Sequence, residues 1–323
     1  MISFESCHPQ PESFFRHESG CKIWTFSTFV FCHLTVQPMI KYVLNKIRAG
    51  RERKQFKEFG FKIVDFLLSK EGKIQYAQWL HPAEFSNHPG HAGNVVSQET
   101  VDFYRQLVKQ GDTVIDIGAH EGDTTVPMAL AVGKTGMALA LEPNPHSFKV
   151  LEANSRLNPE KTQIIPLNFA ATASDGEFTY GSGDPSFGNG GIVGFTHNAN
   201  RNTRYQFNVK GKNLERYIGE NYPDQLHKIA LIKIDAEGYD KEIIKTMPRV
   251  IRENRPYLIT ECFGPSTSEE KLELFDILSQ QEYTLYRLSG FTSISLTKIS
   301  REDMTGKKTF DILATPREKV RNQ

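Results

Sequence analysis

From residue 98 onward the chain alternates short apolar runs with longer segments of mixed character. Residues 113–118 (TVIDIG), 137–143 (MALALEP) and 162–168 (TQIIPLN) are runs of β character. Residues 123–132 and 145–157 between them read as helices, with Phe148 and Leu151 three apart on one side of the second. Residues 230–235 (ALIKID) and 257–262 (YLITEC) are two more strands, followed by helical stretches at 239–246 and 268–280. Strands spaced by helical segments of roughly 10–15 residues imply crossover units and a parallel sheet. Residues 283–288 (YTLYRL) and 310–315 (FDILAT) supply strands to close it. The stretch 181–194 (GSGDPSFGNGGIVG) is too glycine-rich for a core element and is expected as a mobile loop beside a site.

The first 94 residues follow no such pattern. Residues 1–38 are rich in Phe, Cys, Ser and His without a clean period, and a different texture opens at Met39. The expected organisation is an extension of uncertain order or a mis-assigned start at 1–38, a basic, helical and lid region at 39–94, and a main α/β domain at 95–323. Between 41 and 62, Lys41, Lys46, Arg48, Arg51, Arg53, Lys54, Lys57 and Lys62 stand against Glu52 and Glu58 among interleaved apolar positions. A basic amphipathic helix of this kind suits peripheral contact with an anionic membrane surface. A solvated helix packed on the main domain is the preferred reading. His81, His88 and His91 read as solvated loop residues rather than as proton carriers of a lid.

Composition narrows the classes. Its 323 residues allow one large domain or two small ones. With 24% charged and 38% hydrophobic residues the chain is globular rather than disordered. The 39 basic and 38 acidic residues leave a net charge of +1, which argues against a dedicated nucleic-acid binder. Cys7, Cys21, Cys32 and Cys262 do not make a disulfide scaffold, and no two are spaced as structural zinc ligands. The most apolar window, 23–36, is shorter than the roughly 20 residues a bilayer core requires. Acids precede it and no small-residue cleavage site follows, so it makes a poor signal peptide, and a cytoplasmic protein is expected.

Candidate chemistry sits at the strand ends. The first strand runs into Asp116-Ile117-Gly118-Ala119-His120-Glu121-Gly122-Asp123-Thr124. Strand, glycine turn and helix start form a small-ligand cradle in doubly wound sheets. The Gly-x-x-x-Gly spacing lacks the third glycine of a dinucleotide fingerprint, which disfavours an oxidoreductase. The loop's acids would repel a pyrophosphate but suit the positive charges of S-adenosylmethionine (SAM). The second strand ends in Glu142-Pro143-Asn144, where an acid is placed to accept both ribose hydroxyls. Gly133-Lys134-Thr135 is no phosphate loop, because Met128 stands where its first glycine is required. Asp235 and Glu261 end the fourth and fifth strands, so acids would gather at the carboxyl edge of the sheet. Lys233 interrupts an apolar strand and needs a partner or an exposed tip.

Four segments in order, VIDIGAHEGDTT, ALEPNP, LIKIDAEGYDKEII and YLITEC, resemble the FkbM family of SAM-dependent methyltransferases. The resemblance spans about residues 95–316, and IKIDAEG is its most specific piece. It implies an α/β, Rossmann-like class I methyltransferase fold, a mostly parallel seven-stranded sheet with an antiparallel last strand and helices on both faces. It also implies O-methylation of a hydroxyl on a sugar, glycan or polyketide-type metabolite. This chain departs from the family at His120, where Asn is usual, and at Asp240, where the acid is more often Glu.

On this reading Asp116, Gly118, His120, Gly122, Thr124 and Glu142 hold SAM, with Asn168 and Ala170 near the adenine. Asp235 or Glu261 orients or deprotonates the acceptor, and Glu237 is a further candidate. A divalent metal on Asp235, Glu237 and Glu261 is chemically reasonable but not favoured over hydrogen bonding by the same acids. The competing class is a non-catalytic SAM-binding scaffold, which would keep the glycine loop and dispense with acids at the fourth and fifth strand ends.

Overall fold

The computed structural model describes residues 61–68, 72–79, 96–183, 190–195, 205–292 and 296–320. The extension 1–38, the basic run up to residue 60 and His81, His88 and His91 lie outside the described residues. Where the sequence reading places a helical region, the described part is an antiparallel hairpin, β1 (Phe61–Leu68) and β2 (Gly72–Trp79). In β2 the alternation is visible afterwards: Ile74 and Tyr76 are buried while Lys73 and Gln75 are exposed.

Helix α1 (Gln98–Arg105) starts at Ser97, whose hydroxyl accepts from the Thr100 N–H. The crossover units then run β3 (Thr113–Ile117), α2 (Thr125–Val132), β4 (Met137–Leu141), α3 (Pro145–Leu157) and β5 (Ile164–Leu167). A smaller sheet follows, built from β6 (Ala170–Ala171), β7 (Gly176–Ser182), β8 (Gly191–Ile192) and β9 (Tyr205–Lys212) in the order β6-β9-β7-β8. The chain returns through α4 (Leu214–Asn221), β10 (Ile229–Ile234), α5 (Asp240–Lys245), α6 (Pro248–Asn254), β11 (Tyr257–Cys262) and α7 (Ser268–Gln280). It ends with β12 (Tyr283–Leu288), β13 (Leu296–Lys298) and β14 (Phe310–Pro316).

The large sheet has the order β13-β12-β14-β11-β10-β3-β4-β5. Strands β5, β4, β3, β10 and β11 are parallel, and β14 runs antiparallel between β11 and β12. The fold is the expected Rossmann-like one, its seven strands joined by a three-residue eighth, β13, at the edge. Alternation along the central strands feeds two cores. Ile115 and Ile117 of β3 and Ile232 and Ile234 of β10 pack toward α4, α5, α6 and α7. Val114 and Leu231 point the other way, toward α1 and α2. Apart from Thr125 at its start, helix α2 is apolar all round, and it is buried at every position, as a helix enclosed on all sides must be.

The glycine-rich stretch is corrected in part. Gly181 and Ser182 belong to β7, and Gly191 and Ile192 form β8, so two strands enter a stretch read as loop alone. Residues 184–189 lie outside the described ones. No described helix is long and apolar enough to cross a membrane.

Candidate active site

The strand order reverses between β3 and β10, and ligands of doubly wound sheets bind outside the carboxyl ends of the strands at such a point. A cavity of about 430 Å³ opens there. Its floor is the turn after β3. Gly118 adopts φ 78°, and a side chain on it would overlap the carbonyl oxygen of Asp235. The N–H groups of Gly118 and Ala119 donate to the Leu141 carbonyl at 3.0 and 2.9 Å, strapping the turn to the end of β4.

Glu142 leaves β4 into this floor. Its Oε2 accepts from the His120 N–H and its Oε1 from the Asn144 N–H, both at 2.8 Å. The left-handed conformation of His120, φ 48°, aims that N–H. Asn also favours this conformation, so the family's usual residue and His120 meet one backbone need. Burial pushes the Glu142 carboxyl up, against the opposing influence of His120 and the two N–H groups.

Of the sequence-predicted residues, Gly118, His120, Thr124, Glu142, Ala170, Asp235, Glu237 and Glu261 line one cavity. Asp116, Gly122 and Asn168 do not; they stand one layer behind its wall. The Oδ2 of fully buried Asp116 accepts from the hydroxyls of Thr124 at 2.8 Å and Thr125 at 2.5 Å. A Cβ on Gly122 would come within 2.9 Å of the Leu151 side chain, so this glycine admits close packing of α3. Asn168 donates to the carbonyls of Glu142 at 2.8 Å and Pro143 at 3.2 Å and fixes the course of that turn.

Three charged lining residues were not among the predicted site residues: Asp123, read only as one of the loop's acids, Lys233, and Asp311. The need for a partner at Lys233 was legible. Its buried ammonium lies 3.1 Å from Asp235 Oδ2 and 3.7 Å from Asp116 Oδ1. Burial opposes the Lys233 charge, but Asp235 and Asp116 outweigh it and hold the ammonium well above the usual lysine range. Asp311 enters from β14, opposite Glu261, a pairing only the sheet register reveals. Aromatic walls come from Phe169, Tyr180, Tyr239 and Phe291. Among the described residues no group of three or more His, Cys, Asp or Glu side chains is placed to hold a metal ion.

The donor set fits SAM. A carboxyl held by two N–H groups can accept a ribose diol, Ile117, Leu141 and Phe169 offer an apolar wall for a base, and the acids beyond suit positive charge.

The family model of the methyltransferase FkbM domain matches residues 116–288, more than half of the chain. No curated protein sequence matches. Among solved structures, the methyltransferase FkbM from Methylobacillus flagellatus is 14% identical with a TM-score of 0.39; the match covers 66% of this chain and 50% of that one. This chain thus spans half the length of that structure. A SAM-dependent O-methyltransferase from Thermotoga maritima is 16% identical over 79% of this chain and 77% of that one, with a TM-score of 0.36. Aeropyrum pernix fibrillarin with natively bound S-adenosyl-L-methionine is 13% identical over 78% of this chain and 94% of that one, with a TM-score of 0.38.

Proposed function

Because the chain belongs to the FkbM family of SAM-dependent methyltransferases, we propose that its cavity seats SAM on Glu142 and transfers the methyl group to an acceptor hydroxyl held near Asp235. The acceptor class is a sugar, glycan or polyketide-type metabolite. One observation carries this reading: a single cavity is lined both by the glycine turn with Glu142 and by the strand-end acids Asp235, Glu237 and Glu261.

When bound, SAM supplies an electrophilic methyl group on a positively charged sulfur. The protein's part is to align and to move a proton. Glu142 accepts the ribose hydroxyls, with its own orientation fixed by the His120 and Asn144 N–H groups. Thr124 and Ala170 line the cofactor side, while Asp116, Gly122 and Asn168 hold those residues in place from behind. Aligning two bound reactants accounts for roughly 7–11 kcal/mol of a barrier. A positioned base adds roughly 10²–10⁴ in rate, and Asp235, half exposed and beside Lys233, is suited to that task.

The proposal keeps the division into 1–38, 39–94 and 95–323 and a cytoplasmic location, and for the basic stretch 41–62 it keeps the solvated reading ahead of peripheral membrane contact. It is tested in two steps. Titration calorimetry with S-adenosylhomocysteine (SAH) is expected to show binding that Glu142→Ala weakens. Labelled-methyl transfer into sugar and glycolipid extracts, followed by product analysis, is expected to place the label on oxygen. Binding without transfer in any extract would favour a scaffold role, and label on nitrogen or carbon would replace the hydroxyl acceptor.

A further inference from the structure

The register of the sheet sets three carboxyl groups in a row. Asp235 follows the Ile234–Thr260 pairing by one residue and so comes beside Glu261, while Glu261 pairs directly with Asp311 of antiparallel β14. Neighbouring strands lie about 4.8 Å apart, and all three side chains line the one cavity.

The three are not equivalent. Asp235 holds the Lys233 ammonium at 3.1 Å. Glu261 has no such cation. Its Oε2 is buried without a hydrogen-bond partner among the described residues. The groups acting most strongly on it are Asp235, Asp240, Glu237 and Asp311, all of them acids; Lys241 and Lys271 line a small cleft with it, but Lys241 is paired with Glu242 and Glu273 and Lys271 donates to the Gly264 and Gly306 carbonyls. A carboxylate there would stand unpaired among like charges in a partly desolvated site.

We infer that Glu261 enters the reaction as a neutral carboxyl, donating a hydrogen bond to an acceptor oxygen, while Asp235, paired with Lys233, takes the proton of the hydroxyl that is methylated. This division of labour rests on the hydroxyl acceptor proposed above. The acceptor oxygen forms its new bond to the methyl carbon as the carbon–sulfur bond breaks, that bond's electron pair staying on sulfur. The hydroxyl proton passes to Asp235 and then to solvent as product leaves, so charge and atoms balance. Burial, then the neighbouring acids, push the Glu261 carboxyl up to about 9, in agreement with the geometry.

A substrate consequence follows. The acceptor presents two neighbouring oxygens, a hydroxyl toward Asp235 and a lone pair toward Glu261, as a vicinal diol on a sugar ring does.

The experiment needs no acceptor. The full chain, carrying ¹³C-carboxyl Asp and Glu and saturated with SAH, is titrated by NMR from about pH 4 to about pH 10. The Glu261 signal is identified by its loss in Glu261→Gln. Glu261 is expected to be protonated at neutral pH, with a midpoint near 9 that falls by about one unit or more in Asp235→Asn and in Asp311→Asn. Asp235 is half exposed, so Asp235→Asn tests the idea even if Asp311→Asn folds poorly. SAH calorimetry verifies that each variant is folded. A Glu261 charged at neutral pH, or a midpoint unmoved in the folded variants, overturns the inference while leaving methyl transfer to oxygen intact. Label found on nitrogen or carbon in the transfer assay would remove the hydroxyl acceptor with the Glu261 titration unchanged.

Discussion

Gly118 has no room for a side chain, because a Cβ there would overlap a backbone carbonyl, and that separates it from a positive-φ glycine such as Gly111. Gly111 has φ 90°, yet a Cβ there would meet nothing nearer than Thr135 Oγ1 at 3.8 Å. Gly118→Ala must instead push β3 away from the Asp235 carbonyl. Overpacking of this kind costs about 1–3 kcal/mol. The expected outcome is a thermal midpoint lowered by about 2–4 °C per kcal/mol, with SAH binding lost in calorimetry. Gly111→Ala carries backbone strain alone and is expected to keep SAH binding. Glu142 makes a different test. Hydrogen bonds to charged groups contribute about 1.5–3 kcal/mol, so Glu142→Ala is expected to weaken SAH roughly ten- to hundredfold. An affinity for SAH unchanged in Glu142→Ala would remove the ribose from this carboxyl. Both residues were legible in the sequence, because a glycine turn and a strand-end acid act at fixed offsets from their strands. Asp116 was legible as important but not as a support. Nothing in its spacing says that Thr124 and Thr125 occupy one of its oxygens.

Helix α3 grips the hairpin through two asparagines one turn apart. Asn154 is buried; its Nδ2 donates to the Ala77 carbonyl at 2.8 Å and to the Glu121 carbonyl at 2.7 Å, and its Oδ1 accepts from the Ala77 N–H. Asn158, at the exposed end, donates to the Gln75 carbonyl at 2.8 Å. Asn154 therefore ties β2 and the glycine loop to one helix. Asn154→Ala strips three backbone groups of a partner, each loss costing about 1–3 kcal/mol where water cannot replace it. Hydrogen exchange at Ala77 is expected to accelerate strongly, with SAH affinity reduced through the loop at Glu121. Asn158→Ala, open to water, is expected to change stability by no more than about 0.5 kcal/mol. Equal effects of the two variants would mean that the helix does not hold the loop through Asn154. The parallel strands and their helices could be read from the chain because each is a local apolar run of the right length. The hairpin and the small sheet could not. Lys73, Gln75 and the exposed positions of β9 dilute the apolar signal, and β6 and β8 are two residues each, defined only by distant partners. Lys233 shows the intermediate case: the chain demands a partner for it, and only the register of β10 against β3 names Asp116.

Gathering acids at one sheet edge is expected to make the protein's stability depend on pH in an unusual way. Asp240 is fully buried, and its carboxyl accepts from the Thr260 hydroxyl at 2.9 Å and the Glu261 N–H at 3.1 Å. Burial first, then Asp235, push Asp240 from 3.8 up to about 6, and Glu261 rises from 4.5 to about 9. Asp116, Glu142 and Asp311 shift in the same direction, each chiefly by burial. A group whose folded-state pKa is raised binds its proton more tightly folded than unfolded. Its stabilisation is complete below the unfolded value and is lost as pH climbs through the folded one. For Asp240 that window runs from about pH 4 to 6 and for Glu261 from about pH 4.5 to 9. His146, pushed down by burial, acts in the opposite sense below its ordinary range, and exposed pairs such as Arg301–Asp276 contribute little. The thermal midpoint of the full chain is therefore expected to fall steadily from about pH 5 to about pH 9, where many proteins are flat or rising. Asp240→Asn keeps an acceptor for Thr260 and Glu261 and should flatten the lower part of the slope; Glu261→Gln should flatten the upper part; Asp276→Asn should leave both. A midpoint that rises over this interval would show that the edge carboxyls are ionised in the folded protein and that the row is stabilised by cations rather than by protons.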